Sequence, residues 1–61
     1  MVYKVYTGPT IVQTTAARLR NAGFSVYLEG TEHVYLTADS PEQVLAALGS
    51  GFSHLDVRAT R

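Results

Sequence analysis

The chain contains no cysteine and no tryptophan, and only one of its five basic residues is a lysine. Without cysteine, neither a disulfide framework nor a thiolate metal site can form. Two histidines alone make a poor zinc set, so no metal is assigned. An excess of either charge is missing too: five basic residues face five acidic ones and the pI is near 6.7. That balance argues against a partner held by polyanion electrostatics. No apolar run approaches the roughly 18 residues of a membrane span, and no signal-peptide pattern opens the chain. The expectation is a cytoplasmic protein with no membrane partner. What remains is 61 residues, 46% hydrophobic and 16% charged, which is the composition of a folded domain. One domain spanning 1–61 is expected. A chain so short buries only about 60% of its unfolded surface. With disulfide and metal staples excluded, a partner subunit is the remaining way to add stability.

Val2-Tyr3-Lys4-Val5-Tyr6 is β-branched and aromatic, and Thr7-Gly8-Pro9 ends it. Pro9 suits a first helical turn, and Thr10 with Gln13 spells a capping box. Ile11, Val12, Ala16, Leu19 and Ala22 then recur at helical spacing up to Gly23, a natural stop. Phe24, Val26 and Leu28 alternate with polar neighbours as a half-buried strand, and His33 to Thr37 alternates again after Gly30. Ser40-Pro41-Glu42-Gln43 combines cap, proline and box, and Val44, Leu45 and Leu48 follow as a buried stripe. Leu55, Val57 and Ala59 alternate in the last segment. The pattern predicts strands over 2–6, 24–29, 33–37 and 53–59 and helices over 10–22 and 41–48.

Strand–helix–strand–strand–helix–strand with right-handed crossovers puts both helices on one face of a four-stranded antiparallel sheet. The expected class is α+β: a ferredoxin-like βαββαβ two-layer sandwich, strand order 4-1-3-2. The step Ala17-Arg18-Leu19-Arg20-Asn21-Ala22-Gly23-Phe24-Ser25-Val26 is similar to the helix-to-strand step of such domains. The span from Val2 to Leu48 resembles the small GlnB-like putative signal-transducing domains of prokaryotes. That resemblance implies a ligand-sensing regulatory role, with a pocket between subunits near the Thr7–Thr10 turn or the strand-two hairpin. It transfers no functional residue.

Hydrophobic alternation fixes the pairing of the middle strands. Phe24, Val26 and Leu28 must share a face with Val34 and Leu36, and a slip of one residue would invert one set. A three-residue loop, Gly30-Thr31-Glu32, pairs Leu28 with Val34 and Tyr27 with Tyr35. The predicted core is Val5, Val12, Ala16, Leu19, Phe24, Val26, Leu28, Val34, Leu36, Val44, Leu48, Leu55 and Val57, with Tyr3 also directed toward the helices.

The opposite face is left uncovered. It receives Val2, Lys4 and Tyr6, then Ser25, Tyr27 and Glu29, then His33, Tyr35 and Thr37, and finally His54, Asp56, Arg58 and Thr60. Tyrosine favours strands and tolerates half-exposure, which accounts for part of this pattern. Three tyrosines and two histidines on one solvent face nevertheless exceed what solubility asks for. The candidate interaction residues are therefore Lys4, Tyr6, Tyr27, His33, Tyr35, His54 and Arg58. The RNA-recognition domain shares this topology and stacks bases on aromatics of its central strands, a placement that Tyr6, His33 and Tyr35 resemble. Its basic, glycine-containing third-strand motif is absent, and Glu29 and Asp56 offset Lys4 and Arg58.

No catalytic group emerges. His33 and His54 fall on strands separated by another, about 10 Å apart, too far to share a metal. His54 and Asp56 could orient one another, but nothing nucleophilic stands beside them. Thr7-Gly8-Pro9-Thr10 enters a helix N-terminus, yet it lacks the lysine and repeated glycines of a phosphate loop. Arg18 and Arg20 near one helix end, with Asp39 and Glu42 at the start of the other, read as helix-dipole placement. The sequence thus points to a non-enzymatic module without cofactor. It would act in protein–protein interaction or homo-oligomerisation, most simply as a homodimer, through its open face or an edge strand. Single-stranded nucleic-acid binding on that face is the alternative. Four arginines to one lysine, with frequent alanine and threonine, fit a high-GC genome and hence a small bacterial or phage protein.

Overall fold

β1 (Val2–Tyr6) and β3 (His33–Thr37) form the centre of the sheet, because their alternating residues supply its most apolar face. The computed structural model describes residues 1–52 and 55–60. Around that central pair lie β2 (Val26–Glu29), hydrogen-bonded to β3, and β4 (Asp56–Ala59), hydrogen-bonded to β1. The order is β2-β3-β1-β4, every pairing is antiparallel, and the expected 4-1-3-2 arrangement is thereby observed. Helices α1 (Val12–Asn21) and α2 (Pro41–Leu48) pack on one face and against each other. None of the helices in the described residues is long and apolar enough to cross a membrane.

α1 begins two residues later than the sequence predicts. Its N-cap is Ile11, no side chain caps it, and the Thr10–Gln13 box does not form. The reason lies in the connection before it. The Thr7 and Gly8 amides both donate to the Glu32 carbonyl, at 2.8 and 3.2 Å, which pins the end of β1 to the β2–β3 hairpin. Gly8, at a φ of 74°, then turns the chain toward the helix layer, and residues 9–11 are used in the crossing. The Ile11 carbonyl receives the Thr15 amide at 2.9 Å and the Thr15 hydroxyl at 2.8 Å. That second bond satisfies the Thr15 side chain, which is fully buried.

β2 likewise starts at Val26, two residues inside the predicted boundary. Phe24 belongs instead to the end of α1. Its amide donates to the Leu19 carbonyl and the Gly23 amide to the Arg20 carbonyl, at 3.1 and 3.0 Å, while Gly23 takes a φ of 100°. This pair of bonds is a Schellman motif, and it commits the Phe24 amide to the helix end rather than to the ladder, while its side chain packs half-buried against the core. Ala22, predicted on the apolar stripe, is exposed as the C-cap. β4 is also shorter than expected, four residues from Asp56, with Leu55 in a bend; positions 53 and 54 of the predicted strand lie outside the described residues.

α2 matches its predicted span. The Ser40 hydroxyl accepts from the Gln43 amide at 3.2 Å, and Gln43 reaches back to accept from the Asp39 amide at 2.7 Å, one residue before the cap. Replacing Ser40 with alanine should cost about 1 kcal/mol, read from the shift in the urea midpoint at unchanged slope.

The core is graded. Val5, Ala16, Leu19, Val34, Leu36, Val44 and Leu48 are buried essentially completely, and Tyr3, Val12 and Ala38 nearly so. Phe24, Val26, Leu28, Leu55 and Val57, predicted as core members, pack against this cluster but stay half-buried. They sit on the edge strands or beside them, where two helices of ten and eight residues cannot cover a four-stranded sheet fully. Ala38, one residue past the predicted strand, continues the alternation of Val34 and Leu36 into the core. Met1 and Ala38 exchange backbone bonds, extending the β1–β3 ladder one pair beyond Val2 and Thr37.

Candidate interaction face

The face away from the helices is organised in rows fixed by the strand register. One row runs Tyr27–Tyr35–Lys4–Arg58 across β2, β3, β1 and β4. The next runs Glu29–His33–Tyr6–Asp56. A third, uncharged row holds Thr37 and Val2, with Thr60 beyond them. The expected three-residue loop and the Leu28–Val34 and Tyr27–Tyr35 pairings are all present.

These pairings bring four rings into one string. Tyr27 stacks on Tyr35 with ring centroids 5.2 Å apart and planes 14° from parallel. Tyr35 stands 6.4 Å from His33, and His33 meets Tyr6 edge-on at 5.2 Å. Adjacent strands lie about 4.8 Å apart, so directly opposed rings are held at the spacing aromatic pairs prefer. The ends of the string are the most open: Tyr27 is 54% exposed and Tyr6 47%.

The charges follow the rows. Lys4 and Arg58 lie together in the first row, whereas Glu29 and Asp56 close the two ends of the second. Arg58 donates to the Asp56 carboxylate at 2.9 Å, but both side chains are more than half exposed, so the pair adds little stability. Lys4, Tyr6, His33, Asp56 and Arg58 surround a shallow depression of about 180 Å³ over β1.

Desolvation, followed by the Glu29 carboxylate and then Tyr27, raises the pKa of the Tyr35 phenol above the ordinary value of 10.0. Spectrophotometric titration of the wild type minus Tyr35→Phe should therefore show this phenol ionising above pH 10. The linkage has a definite sign. The unfolded phenol loses its proton first, so stability falls as pH rises from about 10 through the folded pKa and is unaffected by this group below that.

Of the residues selected from sequence, Lys4, Tyr6, Tyr27, His33, Tyr35 and Arg58 do share this face; His54 lies outside the described residues. Asp56 and Glu29 were legible as face residues by alternation, but their importance to the site appears only when the rows align. Glu29 acts on Tyr35, and Asp56 both pairs with Arg58 and lines the depression. Among the described residues no cluster of three or more histidines, cysteines or carboxylates could hold a metal ion. The turn at Thr7–Thr10 has its Thr7 and Gly8 amides bonded to Glu32, and the Thr7 hydroxyl donates to the Gly8 carbonyl at 2.7 Å. Those donors are therefore unavailable to an anion. No protein-family model matches the chain, and no curated protein or solved structure is significantly similar to it.

Proposed function

We propose that this protein is a small interaction module, without catalytic activity of its own, that associates through its uncovered sheet face. The observation carrying this reading is the string of rings Tyr27–Tyr35–His33–Tyr6, aligned across three strands on the side that has no helices. Aromatic side chains held rigidly by a sheet concentrate binding energy, because little side-chain entropy is lost when they are covered. A domain with one small core and no covalent staple also gains stability when a partner binds only its folded form. The charge pattern supports a protein partner over a phosphate backbone, since Glu29 and Asp56 flank the row that contains His33 and Tyr6.

The face is small. An outline no larger than 26 × 25 Å puts the area each copy can bury near or below the about 800 Å² per partner of a standard interface. Association in the micromolar range is the expectation. Sedimentation equilibrium from low to high micromolar protein should show the mass rising above that of one chain, at 6.6 kDa. A single 6.6 kDa species throughout would overturn self-association.

A further inference from the structure

The rows of the open face are self-complementary in one orientation. We infer that the partner is a second copy of this chain, docked face to face about a two-fold axis lying perpendicular to the strands, between the Tyr27–Tyr35–Lys4–Arg58 row and the Glu29–His33–Tyr6–Asp56 row. The inference rests on the open-face reading above and adds the partner, the symmetry axis and the pairing.

Symmetry makes the choice, because a two-fold contact opposes a surface to itself. For two sheets packed face to face the axis must lie in the plane between them. An axis perpendicular to the strands keeps each strand over its own counterpart and exchanges the rows on either side of it. Placed between the two charged rows, it sets Arg58 against the partner's Asp56 and Lys4 against the partner's Tyr6. The same operation sets Tyr35 against the partner's His33 and Tyr27 against the partner's Glu29. Every charge then meets an opposite charge, a ring face or a phenol. The Lys4 ammonium is carried over the Tyr6 side of the partner's depression, where Tyr6 offers a cation–π contact and Asp56 a carboxylate, while the partner's Lys4 and Arg58 line the other side.

Shifting the axis by half a row, or turning it parallel to the strands at the centre of the sheet, fails on charge. An axis along the first row opposes Lys4 to the partner's Lys4 and Arg58 to the partner's Arg58. An axis along the second row opposes Glu29 and Asp56 to their own copies. An axis parallel to the strands, between β1 and β3, brings Glu29 over the partner's Asp56. Like charges facing one another across an interface are strongly disfavoured. The intrachain pair of Arg58 and Asp56 does not compete with the chosen arrangement. Two such pairs, inverted across the axis, make a four-group cluster of alternating sign.

Charge exchange tests the pairing. Arg58→Asp alone, or Asp56→Arg alone, places like charges across the axis twice, and each should raise the dimer dissociation constant by about tenfold or more. In an equimolar mixture of the two variants, each introduced carboxylate faces an introduced guanidinium, while native Asp56 faces native Arg58. Sedimentation equilibrium of the mixture should return the dissociation constant to within about threefold of wild type. Adding Tyr35→Ser to both members should abolish that recovery. A mixture that stays monomeric while the wild type dimerises overturns this arrangement and leaves the open-face reading intact. Recovery indifferent to Tyr35→Ser would place the dimer on the β4 edge, where positions 56 and 58 also oppose one another, and overturn both. A monomeric wild type overturns both as well.

Discussion

Truncating Leu36 to alanine should lower the unfolding free energy by roughly 2–5 kcal/mol, the range for a buried leucine that leaves a cavity. Leu36 lies on the central strand β3, is 1% exposed, and sits between Tyr3 on β1 and Val26 on β2. A ladder on each side and α1 above the strand enclose it, so the neighbours cannot collapse into the vacancy without disturbing both ladders. Leu19, fully buried on the inner face of α1, should behave alike. At about 0.05–0.15 kcal/mol per residue, a chain this size has only roughly 3–9 kcal/mol to lose. Leu36→Ala should therefore leave much of the population unfolded at 37 °C, seen as a collapse of the cooperative thermal transition. Val57→Ala supplies the contrast. Val57 belongs to the edge strand β4 and remains half-buried, so about 1 kcal/mol is expected there. Equal losses at the two positions would mean that the gradation of the core from centre to edge has no energetic counterpart.

The second large effect concerns association. Tyr35→Ser should weaken it by about thirtyfold or more, the consequence of losing an interface residue worth about 2 kcal/mol. Tyr35 is the link in the middle of the string: it stacks on Tyr27 and leads to His33. Removing it separates the remaining rings into one isolated tyrosine and one His33–Tyr6 pair. Secondary structure should be unchanged by circular dichroism, since the side chain points away from the core. Glu42→Ala, in the first turn of α2 on the opposite side, is the control and should leave the dissociation constant unaltered. Arg18 is a poorer control, because its guanidinium lies 4.7 Å from the centroid of the Phe52 ring and reaches the Leu48 carbonyl at 3.4 Å. An unchanged constant in Tyr35→Ser would mean that the tyrosines merely decorate a strand surface. Association would then belong to the backbone of β2 or β4.

Local chemistry sufficed wherever residues adjacent in the chain act together. The span of α2 follows from Ser40, Pro41 and Gln43, which need no distant partner to define a helix start. The β2–β3 hairpin follows from alternation, because a one-residue slip would expose Val34 and Leu36 and bury Tyr35. That single constraint also yields the Tyr27–Tyr35 pair on the β2 side of the proposed face. Distant contacts decided the rest. The start of α1 depends on Glu32, whose carbonyl holds the Thr7 and Gly8 amides from across the hairpin and delays the helix until Val12. Phe24 alternates like a strand residue, yet Leu19 and Arg20 accept the amides around Gly23, and the cap takes precedence over the ladder. Sequence periodicity assigns a residue to a side of the sheet; it does not say how far the helices extend over that side. Only packing separated fully buried Leu36 from half-buried Val57. The rows of the open face illustrate the same division. Alternation placed Lys4, Glu29, Asp56 and Arg58 on one surface, but which charge stands beside which ring is a property of register between strands as far apart in sequence as β1 and β4. That alignment, set by the burial of Val5 against Val57 and Val34, is what gives the surface its self-complementary order.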